Sequence, residues 1–165
     1  AIPSKGGDTL FASMYAAYSA LPRSLKNQID GRMGGFTYGG RRKATALLNM
    51  EDRAWTPVWH PIIRTHPETG RKGLYFDPGK IVAIEGLPED ESDALINELT
   101  AYMIQPDAEY HHKWSKGDVV IWDNRCVLHR GLSYPVDQRR IMCRTTVAGD
   151  QSDNKWVLDT TASDD

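Results

Sequence analysis

The sequence has 165 residues, 40% of them hydrophobic and 25% charged, which is the composition of one ordinary globular domain. Acidic residues number 22 and basic residues 20, so the net charge of -2 gives no reason to expect binding to nucleic acid or to an anionic membrane. No apolar run approaches the roughly 20 residues of a membrane-spanning helix. Because there are only two cysteines and the first residues lack the form of a signal peptide, we expect a cytoplasmic protein.

The sequence pattern predicts helices at two points only. Thr9 precedes apolar residues that recur at helical spacing from 10 to 21, and Pro22 follows as a stop. We interpret Thr9 as the cap of this helix, although its hydroxyl could equally face an anion. A second helix is predicted after Pro88, where three acidic residues occupy a first turn and Leu95, Leu99 and Met103 follow at four-residue spacing.

Between the two helices, the segment from 31 to 56 is rich in glycine and contains Arg41, Arg42 and Lys43. This composition is typical of a mobile loop, which we interpret as a lid that could close over an anionic ligand. An ordinary solvated loop fits the same pattern equally well.

Short runs of extended character occupy most of the remaining chain, with turn residues between them. They lie at 61–65, 74–76, 81–84, 110–114, 119–122 and 139–147. These runs predict a mainly β fold with helical insertions, a β-sandwich or barrel. We expect a single domain over residues 1–150, followed by a polar tail at 151–165.

His129 lies at the end of a predicted strand, a position suited to a metal ligand, but a lone histidine is more often structural. In the next predicted strand Arg140 and Arg144 share one face, with Cα atoms roughly 13 Å apart. Two arginines at that spacing could serve two anionic groups of one pocket. A solvated outer face would show the same alternation, so periodicity leaves both interpretations open.

Three other histidines are expected to be structural. His111 and His112 point to opposite faces of their strand and so do not suit one metal ion. His66-Pro67-Glu68 has the form of half of an iron site with two histidines and one carboxylate, for which His129 could be the third ligand. We favour a tight turn for this segment, because Pro67 and Gly70 are turn residues.

Four motifs in order resemble the TauD/TfdA family of Fe(II)/2-oxoglutarate oxygenases, the taurine dioxygenase-like and aryloxyacetate dioxygenase-like enzymes. They are Gly6-Gly7-Asp8-Thr9-Leu10-Phe11, His60-Pro61-Ile62-Ile63-Arg64-Thr65-His66-Pro67-Glu68-Thr69-Gly70-Arg71, Trp122-Asp123-Asn124-Arg125 through His129, and Arg139-Arg140-Ile141-Met142-Cys143-Arg144. The resemblance extends over most of the chain and implies a double-stranded β-helix, or jelly roll.

The resemblance also implies roles for individual residues. His129 matches the distal iron ligand, Arg140 matches the arginine that binds the far carboxylate of 2-oxoglutarate, and Thr9 matches its hydroxyl partner. Arg144 matches a position that meets the anionic group of the substrate, and Trp122 matches an aromatic residue near the metal pocket, although core packing would explain it equally well. The implied reaction consumes O2, releases succinate and CO2, and hydroxylates a sulfonate such as taurine, an aryloxyalkanoate or a sulfate ester next to its heteroatom.

One departure from the family pattern leaves alternatives open. The family's H-x-D pair of iron ligands precedes the segment that contains Thr9, and this sequence begins only eight residues before Thr9. We therefore expect an active enzyme whose jelly roll is incomplete at its N-terminal side in this sequence. A non-catalytic jelly-roll binding domain is the alternative, and a cupin-like metal enzyme that uses no 2-oxoglutarate ranks third. The sequence leaves the oligomeric state open, a homo-oligomer included.

Overall fold

The computed structural model describes residues 1–37 and 57–147. Residues 38–56 of the lid predicted over 31–56, and the tail predicted at 151–165, lie outside the described residues. Within them, eight short strands form two three-stranded sheets and one two-stranded sheet, with three helices. The expectation of a sheet-rich domain with few helices is therefore confirmed. No helix in the described ranges has the length and apolar character needed to cross a bilayer.

The first sheet carries two of the predicted site residues, Thr9 and His129, and has three strands in the order β7-β1-β8. Strand β1, Thr9–Ser13, lies in the centre and pairs antiparallel with β7, Glu109–His112, and with β8, Val127–Gly131. A short 3-10 turn, Pro106–Ala108, leads into β7.

The predicted start of the first helix was wrong. Residues 9–13 form the strand β1, and α1 spans only Met14–Ala20, with the Ser13 hydroxyl accepting a hydrogen bond from the Ala16 N–H as its cap. Thr9 is thus a strand residue and not a helix cap. The apolar spacing from 10 to 21 resembled that of a single helix because a buried strand, apolar on both faces, is followed directly by a helix. A second short helix, α2 at Arg23–Ile29, follows Pro22 and was not predicted.

The second sheet has the order β3-β2-β6 and the third pairs β4 with β5. The strands are β2 at Met33–Phe36, β3 at Val58–Pro61, β4 at Ile63–Thr65, β5 at Lys72–Leu74 and β6 at Ile81–Ile84. The prediction of a lid over 31–56 was wrong for residues 33–36, which form the strand β2. Glycines 34 and 35 belong to the central strand, where ring and side-chain atoms of neighbouring residues lie only 3.1 Å from the position that a Cβ would occupy.

Helix α3, Glu89–Met103, confirms the second predicted helix. Its apolar face, with Leu95, Leu99 and Met103, is fully buried in a core that also takes side chains from α1, α2 and the second sheet. Three acidic residues in its first turn interact favourably with the helix dipole.

Two predicted strands do not form. The segments 119–122 and 139–147 have no strand pairing in the described structure, and Val119 and Ile121 are 84% and 91% exposed. Residues with strand propensity form a strand only where another strand offers its backbone groups. The second segment pairs with the backbone of Ala1 at one residue: the Ile141 N–H donates to the Ala1 carbonyl over 2.8 Å, and the Ala1 amine donates to the Ile141 carbonyl over 3.4 Å.

Candidate functional site

One face of the first sheet brings together two of the predicted site residues. Phe11 pairs directly with His129, and Thr9 pairs with Gly131 and with His112. Thr9 and His129 are therefore diagonal neighbours on one face, with Cα atoms roughly 7–8 Å apart. The hydroxyl and the imidazole face the same side of the sheet at a separation that suits a small two-ended ligand.

Arg140 approaches the start of β1 from the irregular C-terminal segment. Its Nε donates to the Gly7 carbonyl over 2.9 Å, two residues before Thr9. Gln138 accepts hydrogen bonds from the Ser4 N–H and hydroxyl at 2.7 and 3.1 Å, which holds this segment beside the first residues of the chain. With Nε occupied, the terminal nitrogens of the Arg140 fork are the groups that remain for a carboxylate.

Gly7 is the residue that makes this approach possible. Its φ is +75°, and a Cβ built there would lie 2.9 Å from Pro3 Cγ and 3.1 Å from Arg140 Cδ. A side chain at this position would be strained by its backbone, would clash with Pro3 and would displace the Arg140 side chain. The missing Cβ therefore leaves the space through which Arg140 passes.

Trp114 orients the hydroxyl of Thr9. The indole Nε1 donates to Thr9 Oγ1 over 3.0 Å, and Thr9 is only 7% exposed. An indole N–H can only donate, so the threonine oxygen accepts here and its own proton must point to another acceptor. A carboxylate beside Arg140 would be such an acceptor.

His129 lies against two aromatic rings. The Trp122 ring centroid is 4.8 Å from that of His129, and Phe11 lies 6.2 Å away. Burial lowers the pKa of His129 below its ordinary value, and the positive charges of Arg144 and Lys80 lower it further. The imidazole is consequently neutral near pH 7, which is the form that binds a metal ion.

Arg144 lies close enough to His129 to affect its titration, although the Arg144 side chain itself is exposed. Its field adds to that of Lys80 around the imidazole. The carboxylate of Asp77, which lies 3.3 Å from Lys80 Nζ, acts in the opposite direction on the pKa of His129, so it offsets Lys80 and leaves the contribution of Arg144. The interpretation of the arginine pair as serving two anions stays a prediction. The prediction that both arginines lie on one strand was wrong, because no strand forms there.

His66 takes no part in this site, and its predicted turn is confirmed. The Gly70 N–H donates to the His66 carbonyl over 2.9 Å, and the His66 N–H donates to the Arg71 carbonyl over 2.9 Å. His66 instead lies with Asp123 and Cys126 in the one group of three metal-type side chains found in the described ranges. That group does not fit a cation, because both ring nitrogens of His66 are hydrogen-bonded and Arg125 neutralises the carboxylate.

His129 is suited to be one ligand of an iron site, because its ring is partly buried and neutral. Within residues 1–37 and 57–147 no second histidine, cysteine or carboxylate joins it in a group of three. The start of β1 suits a carboxylate better, since Arg140 packs against the Cβ-free Gly7 there and the Thr9 hydroxyl lies two residues further along the chain.

Sequence reasoning missed the two residues that orient the others, Gly7 and Trp114. Consecutive glycines before Thr9 were a usable signal, because both Gly6 and Gly7 adopt positive φ. The Trp114 contact had no local signal, since it joins residues 105 positions apart. The two histidines of β7 do face opposite sides, and His111 and His112 lie 2.9 and 3.2 Å from the carboxylates of Asp8 and Asp118.

Comparison with known proteins gives a family match over nearly the whole chain. The model of the taurine catabolism dioxygenase TauD, TfdA family matches residues 1–146. An alpha-ketoglutarate-dependent 2,4-dichlorophenoxyacetate dioxygenase of Cupriavidus pinatubonensis is 40% identical over 152 residues, which cover 90% of this chain and 53% of that protein. An alkylsulfatase of Acinetobacter baylyi is 32% identical over 159 residues, 90% of this chain and 50% of the relative.

The structural comparison agrees with the sequence match. The crystal structure of AAD-2 in complex with Mn(II) and N-oxalylglycine superposes with a TM-score of 0.80 at 34% identity, covering 90% of this chain and 60% of that one. The chain spans about half the length of the curated relatives it matches.

Proposed function

The chain belongs to the TauD, TfdA family of dioxygenases, and from this membership we propose that the whole protein is an Fe(II)- and 2-oxoglutarate-dependent dioxygenase. It hydroxylates a small anionic substrate next to a heteroatom and releases succinate and CO2. The complete fold is a double-stranded β-helix to which the sheets of this chain contribute. Likeness to a 34% identical solved structure supports this architecture.

The observation that carries the proposal is the cradle at the start of β1. Arg140 is held at the Gly7 carbonyl, two residues before Thr9, and Thr9 accepts from Trp114, so the Arg140 terminal nitrogens and the Thr9 O–H both remain as donors near the start of β1. A terminal carboxylate is the acceptor that satisfies both. 2-Oxoglutarate carries such a carboxylate, and its other end then lies on the His129 side of the sheet face.

His129 would hold iron as one of its ligands, and a part of the protein outside the described residues would supply the others. Bound iron would activate O2 for the decarboxylation and the hydroxylation. The protein's own residues bind and orient the two organic acids, and Trp122 and Phe11 exclude water from the imidazole side.

The substrate is a small organic anion, and Arg144 is the residue that binds its charged group. A guanidinium binds carboxylate, sulfonate and sulfate with similar geometry. Aryloxyalkanoates and alkyl sulfates, after which two relatives are named, are therefore the first compounds to test, together with taurine.

The test separates the roles of the two arginines. We expect Arg140→Ala to weaken 2-oxoglutarate binding about 10- to 100-fold, because a charge-assisted hydrogen-bond pair is lost. We expect Arg144→Ala to raise the KM for the organic anion instead. Both are measured by titration calorimetry and by succinate release with each candidate substrate.

Arg139→Ala is the matched control, since Arg139 is exposed and adjacent to Arg140. Equal losses for both ligands in both variants would contradict this division of roles.

A second candidate function follows from the single imidazole: a binding domain that takes a small dicarboxylate without iron. Intact mass and an anaerobic titration with Fe(II) and 2-oxoglutarate distinguish the two. A visible charge-transfer band supports the enzyme. Binding of 2-oxoglutarate without a band supports the binding domain.

A further inference from the structure

Outside the site, a cluster of charged side chains joins two separate sheets. It consists of His66 and Glu68 from the turn after β4, and of Asp123 and Arg125 from the turn before β8. We refer to these four residues as the inter-sheet cluster. The turn after β4 belongs to the β4-β5 sheet, and β8 belongs to the sheet that carries His129.

The ring of His66 is held in one tautomer. The N–H groups of Glu68 and Thr69 both donate to His66 Nδ1 over 3.3 Å, so this nitrogen carries no proton. The proton is then on Nε2, which lies 3.1 Å from Asp123 Oδ2 and donates to it. Because His66 is buried, its ring and the local backbone form one rigid unit that presents a single donor.

The Asp123 carboxylate accepts this hydrogen bond from His66 and is also bound by Arg125. Arg125 Nε lies 3.0 Å from each carboxylate oxygen, Nη2 lies 2.7 Å from Oδ2, and the Arg125 N–H donates to Oδ1 over 2.8 Å. The Asp123 carbonyl also accepts from the N–H groups of Cys126 and Val127. Every polar group of Asp123 that can accept is therefore engaged.

The position of Asp123 in the chain links the inter-sheet cluster to Trp122 and His129. Trp122, whose ring lies 4.8 Å from that of His129, is the preceding residue. Val127, the first residue of β8, follows four residues later, and His129 is the third residue of that strand. Fixing Asp123 thus fixes both ends of the segment that packs Trp122 against His129.

We propose that His66 and Asp123 are positioning residues, which tie the β4-β5 turn to the segment 122–129 and so set the placement of the Trp122 and His129 rings. The cluster acts through the backbone and touches no ligand. The relevance of His129 rests on the proposed function, but the placement of the two rings can be measured without it.

The experiment uses the protein labelled with 5-fluorotryptophan, with the Trp122 resonance assigned by Trp122→Phe. His66→Phe keeps an aromatic ring and removes the donor to Asp123, whereas His66→Gln keeps an N–H donor at similar reach. We expect His66→Phe and Asp123→Asn to shift or broaden the Trp122 fluorine resonance and to weaken Mn(II) binding about tenfold. His66→Gln should restore most of both.

Glu68→Gln is the matched control, because the Glu68 side chain is 71% exposed and its contact to Arg125 is correspondingly weak. An unchanged Trp122 resonance in His66→Phe and Asp123→Asn, with only the melting temperature lowered, would overturn the inference.

Two further outcomes are informative. If either variant fails to fold, Arg125→Lys, which keeps the charge but loses the fork, takes its place with the same expected shift. If the unsubstituted protein binds no Mn(II), the proposed function fails, and the fluorine resonance alone decides the positioning role.

Discussion

At the scale of single residues, the candidate site depends on groups that carry no charge. The Gly7 carbonyl accepts a hydrogen bond from Arg140, and the missing Cβ of Gly7 leaves room for the Arg140 side chain. The Trp114 indole N–H donates to Thr9. These contacts decide where the Arg140 fork and the Thr9 proton point. A sequence motif identifies the arginine and the threonine but gives no information on their orientation.

Gly7→Ala tests this dependence. The substitution places a Cβ in a backbone conformation with φ of +75° and against Arg140, so we expect a loss of about 1–2 kcal/mol in the free energy of unfolding. Because Arg140 must also shift, 2-oxoglutarate affinity should fall about tenfold, as measured by calorimetry.

Gly31→Ala provides the control, since Gly31 has a φ of +68° and nothing within 4 Å of its Cβ position. It should lose similar stability and keep its affinity. Equal affinity in both variants would show that Gly7 serves only the backbone.

At the scale of elements, β6 and α3 are joined by one buried hydrogen bond. The Ser92 hydroxyl, in the first turn of α3, accepts from the Ile84 N–H over 2.9 Å. Ser92 is buried, so water cannot replace it. This bond satisfies a backbone donor near the end of β6, where the sheet meets the helix.

We expect Ser92→Ala to destabilise the protein by about 1–3 kcal/mol, because the Ile84 N–H would be left buried without an acceptor. Urea unfolding measures the change. The control is Thr100→Ala, whose hydroxyl donates to the Ile96 carbonyl over 2.7 Å inside the same helix. That carbonyl keeps its helical bond, so a loss there as large as in Ser92→Ala would contradict the account.

At the scale of the whole molecule, the second sheet packs on a core shared with all three helices, and ionisable groups lie at its margin. Burial lowers the pKa of His60, and the positive charge of Arg64 lowers it further. Hydrogen bonds from Arg125 hold the pKa of Asp123 well below its usual range. Both shifts make the folded state bind fewer protons than the unfolded chain.

Stability should therefore fall with decreasing pH in two windows. Below about pH 6.5 the histidines of the unfolded chain take up protons, while His60 of the folded protein stays neutral. Below about pH 4, Asp123 takes up a proton in the unfolded chain before it does so in the folded protein. We expect His60→Gln to reduce the first decline in urea unfolding followed from pH 8 to pH 5, while the part that comes from His129, whose pKa is also lowered, remains. A constant offset between His60→Gln and the unsubstituted protein across that range would contradict the assignment.

The sequence by itself determined the family, the second helix, strand β6 and the identity of the charged residues, because these depend on local pattern and on motif order. The tertiary structure alone decided that Thr9 lies in a strand and that residues 139–147 are not one, because strand formation depends on a partner elsewhere in the chain. It also decided the roles of His66, Gly7 and Trp114. Their contacts span 57, 133 and 105 positions, and no local pattern records which distant groups the fold brings within hydrogen-bonding distance.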